Sequence, residues 1–132
     1  MEVDLIQKYA KYSVPELIKI ATKHFNQYIR NRDAGDVCIS CRKYKPLQAG
    51  HYYSAGHYSA LRFNENNVHG QCIRCNMFLS GNLNEYRKNL IHKIGVEEVE
   101  KLDNTPRYYK WDRFSLIDII ERYKLKNKDI NK

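Results

Sequence analysis

The most regular hydrophobic pattern lies near the start of the chain. Residues 13–16 combine a capping hydroxyl, an early proline and an acidic side chain, and apolar positions then recur at steps of three and four residues. This period predicts an amphipathic helix over about 15–32 that ends near residues 33–35. A shorter helix is expected within residues 1–12. The positions expected to share the main stripe are Leu17, Ile20, Ala21, His24, Phe25, Tyr28 and Ile29.

The helical period disappears between residues 36 and 75. Cysteines, glycines and short β-prone runs replace it, which predicts hairpin and loop. Helical character returns after residue 81, where Asn82 and Glu85 resemble a capping box and Gly95 fits the residue that follows a helix. The expected apolar face of this helix is Leu83, Tyr86, Leu90 and Ile94.

The sequence of the C-terminal third predicts two more helices. A short acidic helix is expected over 96–102, a turn at 105–106 and an amphipathic helix over 114–125. The expected apolar positions of that last helix are Leu116, Ile117, Ile120, Tyr123 and Leu125. The whole pattern predicts one α+β domain over 1–132, divided into an N-terminal helix (15–35), a cysteine-bearing core (36–95), C-terminal helices (96–125) and a frayed tail (126–132).

Charge is concentrated on the chemically richest part of the chain. The 132 residues carry a net charge of +8, and residues 37–95, with eight Lys or Arg and two Asp or Glu, supply +6 of it. This bias predicts a polyanionic partner, either nucleic acid or an anionic membrane surface. An apolar fraction of 42% argues against disorder, and no apolar run is long enough to span a membrane. The first residues lack a secretion signal, so we expect an intracellular protein.

The four cysteines form two C-x-x-C pairs, Cys38 with Cys41 and Cys72 with Cys75. Each two-residue gap lets both thiolates contact one tetrahedral ion at about 2.3 Å, and the two pairs complete a four-cysteine site. Zinc fits these ligands best, in a structural role, because four thiolates leave no open position for a substrate. Two disulfides are the rival interpretation, disfavoured inside a cell, and an iron–sulfur cluster is a further alternative.

The segment between and just after the cysteine pairs carries candidate groups for phosphodiester hydrolysis. Such cleavage needs a base to deprotonate water, a hard cation and a cationic group that holds the phosphate. His51 has a suitable pKa for the base, Asn76 offers a neutral oxygen ligand for Mg²⁺ or Mn²⁺, and Arg62 can hold phosphate. A zinc clamp would fix the His51 and Asn76 segments relative to each other.

Four motifs occur in order along the chain: C-x-x-C, G-H-Y, N-x-H-x-Q-C-x-x-C-N and S-G-N-x-x-x-Y-R. Together with residues 25–33, 61–63 and 110–111, they resemble the HNH, or ββα-metal, nuclease superfamily over about residues 17–123. More narrowly, they resemble the phage NinG/Rap recombination endonucleases. The double cysteine pair that ends in Cys75 and Asn76 is also similar to the endonuclease VII group.

The resemblance implies a zinc-clamped ββα-metal core flanked by helices. It also implies a metal-dependent endonuclease, phage-encoded and cytoplasmic in a bacterial host, that acts on branched DNA such as Holliday junctions or D-loops. His51 would be the general base, Asn76 a ligand of the catalytic metal, and Asn67 the residue that braces the loop carrying the base. Many superfamily members place Asp before the base as a metal ligand, whereas this chain has Gly50.

Another residue must therefore supply the second ligand of the catalytic metal. The first candidate is His69 and the second is His57, and ligation by His69 would need the softer Mn²⁺ or a water bridge to Mg²⁺.

Several further residues are candidates for DNA contacts. Tyr52 and Tyr53 are candidates to stack on unpaired bases, with hairpin packing as the alternative. The candidate phosphate contacts are Arg30, Arg32, Lys43, Lys45, Arg62, Arg87 and Lys88. Resolution of a four-way junction needs two cuts, so we expect a homodimer paired through the helices over 15–32 and 114–125, although such stripes also suit a monomer core.

Two other functions remain open from the sequence. One is a non-catalytic zinc-ribbon protein that binds nucleic acid, in which His51 and Asn76 are structural. The other is an HNH nicking or restriction-type endonuclease without junction preference.

Overall fold

The computed structural model describes residues 1–130 as five α-helices, a two-stranded antiparallel sheet and short helical turns. This mixture confirms the predicted α+β class. The main elements are α1 (Val3–Lys8), α2 (Val14–Arg32), β1 (Leu47–His51), β2 (Val68–Cys72), α3 (Leu83–Ile94), α4 (Val96–Asp103) and α5 (Arg113–Ile130). Two 3₁₀ turns (Ser59–Leu61 and Glu65–Asn67) lie between the strands, and a π-helix (Arg74–Phe78) follows β2. None of the helices in this described part is long and apolar enough to cross a membrane.

Helix α2 forms where the sequence predicts it. The Ser13 hydroxyl accepts the Glu16 backbone N–H at 3.3 Å, and the Glu16 carboxylate accepts the Ser13 N–H at 3.1 Å. This reciprocal cap satisfies two backbone donors at the start of the helix. The fully buried positions of the helix are Leu17, Ala21, Phe25 and Ile29, whereas Ile20, His24 and Tyr28 are half-buried.

Helices α2 and α5 pack against each other and form the largest core. Phe25 meets Tyr123 edge to face, with ring centroids 4.9 Å apart. The buried face of α5 differs from the prediction at two positions, since Ile119 is buried and Leu125 is 61% exposed. The two stripes that we expected to pair between protomers thus cover each other within one chain, and a homodimer stays a prediction without that contact.

The predicted frayed tail is wrong for residues 126–130, which continue α5; residues 131–132 lie outside the described residues. Lys126 pairs with Glu65 at 2.6 Å, and the Asn127 side chain donates to the His24 carbonyl at 3.0 Å. These contacts hold the last turns of the helix against the body of the protein, which composition alone did not indicate.

The two strands form the predicted hairpin at the centre of the molecule. Leu47 pairs with Cys72 and His51 with Val68 in an antiparallel register. One core, shared with α2 and α5, contains Phe63 and Val68, and a second core, shared with α3 and α4, contains Leu61. The loop between the strands therefore contributes to both cores.

Helix α3 begins differently from the prediction. Asn82 adopts a left-handed backbone conformation (φ 43°), and its side chain makes no capping hydrogen bond. The side chain instead donates to the Cys75 sulfur at 3.6 Å, so the expected capping box with Glu85 is wrong. Leu83 is 44% exposed, while Tyr86 and Leu90 are buried as predicted. The helix ends at Gly95, whose positive φ of 92° is a backbone conformation that glycine adopts far more readily than other residues.

Candidate functional site

The four cysteines form one cluster, as the sequence predicts. Their Sγ atoms all lie within 4.8 Å of one another, and the Sγ atoms of Cys41 and Cys72 are 3.8 Å apart. Four thiolates bound at about 2.3 Å to a tetrahedral ion would be separated by about 3.8 Å. All four are free thiols, and 3.8 Å is far longer than a disulfide bond of about 2.05 Å. The cluster can hold a metal ion and is compatible with structural zinc.

Backbone donors point at the sulfur atoms, as a charged thiolate requires. The Cys38 sulfur accepts the N–H groups of Cys72 at 3.3 Å and Cys41 at 3.5 Å. The Cys72 sulfur accepts the Cys75 N–H at 3.5 Å. Burial alone would raise the pKa of Cys38, but these backbone hydrogen bonds lower it to about 7. The chemistry of this donor set fits a thiophilic cation.

The cluster also joins the hairpin to the segments around it. The Ile39 N–H donates to the Gly70 carbonyl of β2 at 3.0 Å. Asn89 of α3 donates to the carbonyls of Ile39 at 2.8 Å and Ser40 at 3.2 Å. The first cysteine pair is thus fixed to both the sheet and α3.

His51 and Asn76 line the same cleft, which has a volume of about 540 Å³. His51 is the last residue of β1, and Asn76 lies in the π-helix directly after the second cysteine pair. Tyr52, Tyr53 and Gly81 also line the cleft, and no carboxylate of residues 1–130 does so. The cysteine cluster and the hairpin together bring these two segments, 25 residues apart, to one surface.

Hydrogen bonding fixes the ring of His51. Its Nε2 atom lies 2.9 Å from the Arg62 carbonyl oxygen and must donate to it, which leaves the lone pair on Nδ1. Burial, opposed in part by this hydrogen bond, holds the pKa of His51 below its usual value of 6.5. The imidazole is therefore neutral at neutral pH, which is the form that a base requires.

Asn67 braces the loop that follows His51. Its Oδ1 accepts the Tyr53 N–H at 2.9 Å, and its Nδ2 donates to the carbonyls of Tyr53 at 2.9 Å and Leu61 at 3.2 Å. Asn67 is completely buried, so these partners replace water for the whole amide. This geometry agrees with the bracing role that the resemblance implies.

Asn76 is oriented by a neighbouring glutamine. Its Nδ2 donates to Gln48 Oε1 at 2.9 Å, and among residues 1–130 no hydrogen bond engages its Oδ1. A neutral amide oxygen at a half-buried position in a cleft suits a hard divalent cation, which favours oxygen ligands.

Gly50 is required by packing. A β-carbon on residue 50 would lie 2.1 Å from Gln71 Oε1 and 2.7 Å from Gln71 Cβ. Gln71 is completely buried, and its Nε2 donates to Ser40 Oγ at 2.9 Å and the Gly81 carbonyl at 2.5 Å. An acidic side chain before His51 is thus incompatible with Gln71 in this position.

The two histidines considered as further metal ligands lie outside the lining of the cleft. His69 is buried, with Nδ1 3.1 Å from an Arg32 nitrogen and Nε2 2.9 Å from the Asn66 carbonyl. Burial and the charges of Lys93 and Arg32 lower the pKa of His69 to about 4. His57 is exposed, and its Nδ1 lies 3.0 Å from Ser54 Oγ. Both nitrogens of His69 are occupied by protein groups, which does not favour a ligand role.

Some of the predicted DNA contacts instead hold the protein together. Arg32 donates to the Val68 carbonyl at 2.7 Å and pairs with Asp33 at 2.8 Å. Arg87 pairs with Asp103 at 2.8 Å and donates to the Tyr52 hydroxyl at 3.1 Å.

Other predicted contact residues stay at the surface. Tyr52 and Tyr53 stack edge to face and are half-buried, which agrees with the packing alternative for both. The side chain of Arg62 is half-buried and does not line the cleft. The predicted contact residues whose side chains are exposed are Arg30, Lys43, Lys45 and Lys88.

Asp33 is an important residue that the sequence analysis missed. It is buried, accepts the Gly70 N–H at 2.7 Å and pairs with Lys93 at 3.3 Å. Burial would raise its pKa, but hydrogen bonds from Arg32 and Gly70 lower it to about 2. The sequence feature that could have indicated its importance was its position beside an arginine at the end of an amphipathic helix. Gln71 was missed in the same way, although it lies on a strand between two chemically important residues.

Comparison with known proteins gives the family. The chain matches the family model described as "NinG: Bacteriophage Lambda NinG protein" over residues 4–132. The chain belongs to the NinG family. It is 40% identical over 115 residues to protein ninG of Escherichia phage lambda, which covers 86% of this chain and 56% of the relative. Protein ninG of Salmonella phage P22 is 38% identical over 115 residues, 86% of this chain and 57% of the relative.

A shorter match links the NinG chain to protein ninG of Enterobacteria phage H19B, with 41% identity over 96 residues, 71% of this chain and 48% of the relative. The chain thus spans about half the length of the curated relatives it matches. No solved structure matches it significantly.

Proposed function

We propose that this NinG chain is a metal-dependent endonuclease that hydrolyses phosphodiester bonds in branched DNA. The single observation that carries the proposal is that His51 and Asn76 line one cleft, with His51 Nδ1 and Asn76 Oδ1 free of protein partners among the described residues. The motif resemblance to HNH nucleases and the net charge of +8 support it.

In the proposed reaction, Nδ1 of His51 removes a proton from a water molecule. The water oxygen bonds to phosphorus while the bond from phosphorus to the 3′ oxygen breaks, and the leaving oxygen takes a proton from solvent. The Arg62 carbonyl holds the imidazole in the required tautomer, and Asn67 positions the loop between them.

Asn76 Oδ1 would hold a Mg²⁺ or Mn²⁺ ion. Such an ion stabilises charge that develops on the phosphate and the leaving oxygen. Mg²⁺ commonly takes only one or two protein oxygens and completes its shell with water and substrate phosphates, so a single amide oxygen fits this mode. Gln71 occupies the space that a carboxylate on residue 50 would need.

The cysteine cluster would hold a structural zinc ion. Its binding energy would contribute to folding, on the order of 10 kcal/mol in small zinc peptides. The energy matters here because the segment between the two pairs contains only one short strand and two 3₁₀ turns before β2 begins. A zinc ion held by these cysteines would fix the segments that carry His51 and Asn76 without taking part in the reaction.

A preference for branched DNA and a cytoplasmic site of action in the host belong to the same proposal. Within residues 1–130 the sequence shows no evident recognition helix with base-reading side chains, which favours recognition by DNA shape over recognition by sequence. The two cuts that a junction requires would be made by a homodimer.

The decisive experiment compares His51→Ala with wild type on a labelled four-way junction, a fork, a single strand and a linear duplex, with Mg²⁺ or Mn²⁺. We expect cleavage of the branched DNAs to fall by at least 100-fold, with zinc content and junction affinity unchanged. His92→Ala is the matched control, because this histidine is exposed and does not line the cleft.

Three outcomes would contradict parts of the proposal. Full activity of His51→Ala would remove the catalytic assignment. Wild-type binding without cleavage under both metals would favour the non-catalytic zinc protein. Equal cleavage of all four DNAs would favour a nicking-type enzyme without junction preference.

A further inference from the structure

A ridge of apolar side chains separates the candidate cleft from a second concavity. The ridge is the segment 74–83, which begins with the π-helix Arg74–Phe78. Asn76, Gly81 and Leu83 face the cleft that contains His51. Arg74, Cys75 and Leu79 face the other concavity, whose remaining lining residues are Cys41, Lys43 and Lys45.

The crest of the ridge is strongly exposed. Met77 is 65% and Phe78 77% exposed, and neither lines either concavity. Adjacent large apolar side chains at a protein surface commonly mark a contact with a partner. Leu79 and Leu83 within the ridge, 45% and 44% exposed, and Ile73 directly before it, 46% exposed, extend this apolar surface.

The ridge is held firmly despite its exposure. The Leu79 N–H donates to the Arg74 carbonyl at 2.9 Å, and the Gly81 N–H donates to the Cys75 carbonyl at 2.8 Å. Ser80, Gly81 and Asn82 all have positive φ angles, of 50°, 92° and 43°. Cys75 belongs to the metal-binding cluster. Phe78 is thus presented by a preorganised backbone, which lowers the entropy lost on binding.

The charge beside the ridge identifies the partner. Lys43, Lys45 and Arg74 lie together, and within residues 1–130 none of them forms an ion pair with an acidic side chain. Three free cations beside an exposed phenyl ring match the chemistry of a nucleic-acid strand whose bases are unstacked. A second protein copy with the same surface would bring like charges together.

We propose, on the basis of the DNA substrate proposed above, that Phe78 stacks on unpaired bases at a branch point. Lys43, Lys45 and Arg74 bind the phosphates of the same strand. Because the ridge adjoins the cleft, this contact places the backbone near the branch point against His51. The proposal gives a physical reason for selecting branched DNA: a fully paired duplex offers no free base face to the ring.

The test measures binding rather than cleavage. Affinities of wild type and Phe78→Ala are compared by fluorescence anisotropy for a thymine single strand, a four-way junction with unpaired bases at its centre, and a linear duplex. Buffer without added Mg²⁺ or Mn²⁺, and without chelator, prevents cleavage and retains zinc. Loss of one stacked base should weaken binding of the single strand and the junction roughly tenfold, with less than a twofold change for duplex.

Matched variants sharpen the result. Phe78→Trp should restore single-strand affinity, because indole also stacks on bases. Phe114→Ala, at an aromatic residue 51% exposed on α5, should leave all three affinities unchanged. Lys45→Ala should weaken duplex and single strand alike and reduce the salt dependence of binding.

Three results for Phe78→Ala would overturn the inference. The variant could bind the single strand as tightly as wild type, or it could lose the same affinity for all three DNAs. It could also change its oligomeric mass in light scattering while its single-strand affinity stays the same. The last result would identify the ridge as a protein interface. If wild type cuts no DNA but Phe78-dependent binding persists, the proposed endonuclease fails and this contact stands.

Discussion

The side-chain oxygen of Gln71 lies only 2.1 Å from the position that a β-carbon on Gly50 would occupy. The glutamine cannot easily move, because its amide nitrogen donates to the Gly81 carbonyl and the Ser40 hydroxyl. The residue before His51 is therefore fixed as glycine by its neighbour on the adjacent strand.

Gly50→Ala should destabilise the protein by about 2–3 kcal/mol through this overlap. Denaturant unfolding measures the effect, and Gly56→Ala is the control, since a β-carbon there meets nothing within 4 Å. Combining Gly50→Ala with Gln71→Gly should give a loss smaller than the sum of the two single losses, because the glutamine side chain is then absent. Strictly additive losses would contradict the steric explanation.

Cys72→Ser should release the metal and unfold much of the centre of the chain. The cysteine belongs both to β2 and to the metal-binding cluster, so we expect a loss on the order of 3 kcal/mol or more. Zinc analysis and thermal melting provide the measurements. Stoichiometric zinc together with an unchanged melting curve would reject the clamp.

Asn67→Ala should cost roughly 2–4 kcal/mol, because it leaves the backbone groups of Tyr53 and Leu61 without partners in a buried place. Cleavage should fall as well, since the loop beside His51 loses its brace. Asn66→Ala is the matched control: among residues 1–130 its side chain makes a single hydrogen bond, to the carboxylate of the half-buried Glu98. Similar stabilities of the two variants would argue against a bracing role.

The buried His69 should make stability depend on pH. Its pKa is about 4 in the folded protein and near 6.5 in an unfolded chain, so between these values the unfolded state binds the extra proton. Stability is therefore greatest above pH 6.5 and falls as the pH drops towards 4, by roughly 3 kcal/mol for a shift of this size. A protonated Nδ1 would point a hydrogen at Arg32.

The measurement is the free energy of unfolding of wild type and His69→Gln between pH 7 and 4. Thiolates also take up protons in acid, so the difference between the two proteins isolates the histidine. The slope of the free energy of unfolding against pH should be smaller in the variant, by an amount that corresponds to the uptake of up to one proton on unfolding. Parallel curves would show that His69 does not titrate as its surroundings indicate.

Much of the fold follows from local sequence patterns. The capping residues and the three-to-four spacing of α2 were sufficient to predict it, and the two C-x-x-C pairs were sufficient to predict the cluster. Both signals depend on residues close together in the chain. The end of α5 was not predictable in this way, because the contacts that extend it join Lys126 to Glu65 and Asn127 to His24.

In the candidate site, too, local motifs were predictable from the sequence, whereas contacts between distant residues were not. Motif spacing indicated His51, Asn67 and Asn76, and the structure brings His51 and Asn76 to one cleft. Spacing could not tell which charged side chains were already engaged, since Arg32 donates to the Val68 carbonyl of β2 and Arg87 pairs with Asp103 of α4. Nor could it separate a buried, fully bonded His69 from a free ligand.

Leu61 and Phe63 stand two positions apart, yet each is embedded in a different core. Local unfolding of either core would remove packing contacts from residues 61–63. The same segment supplies the Arg62 carbonyl that orients the imidazole of His51. The reactive arrangement should thus exist only in molecules that are intact from end to end. Amide hydrogen exchange along the loop should then report global unfolding rather than local breathing.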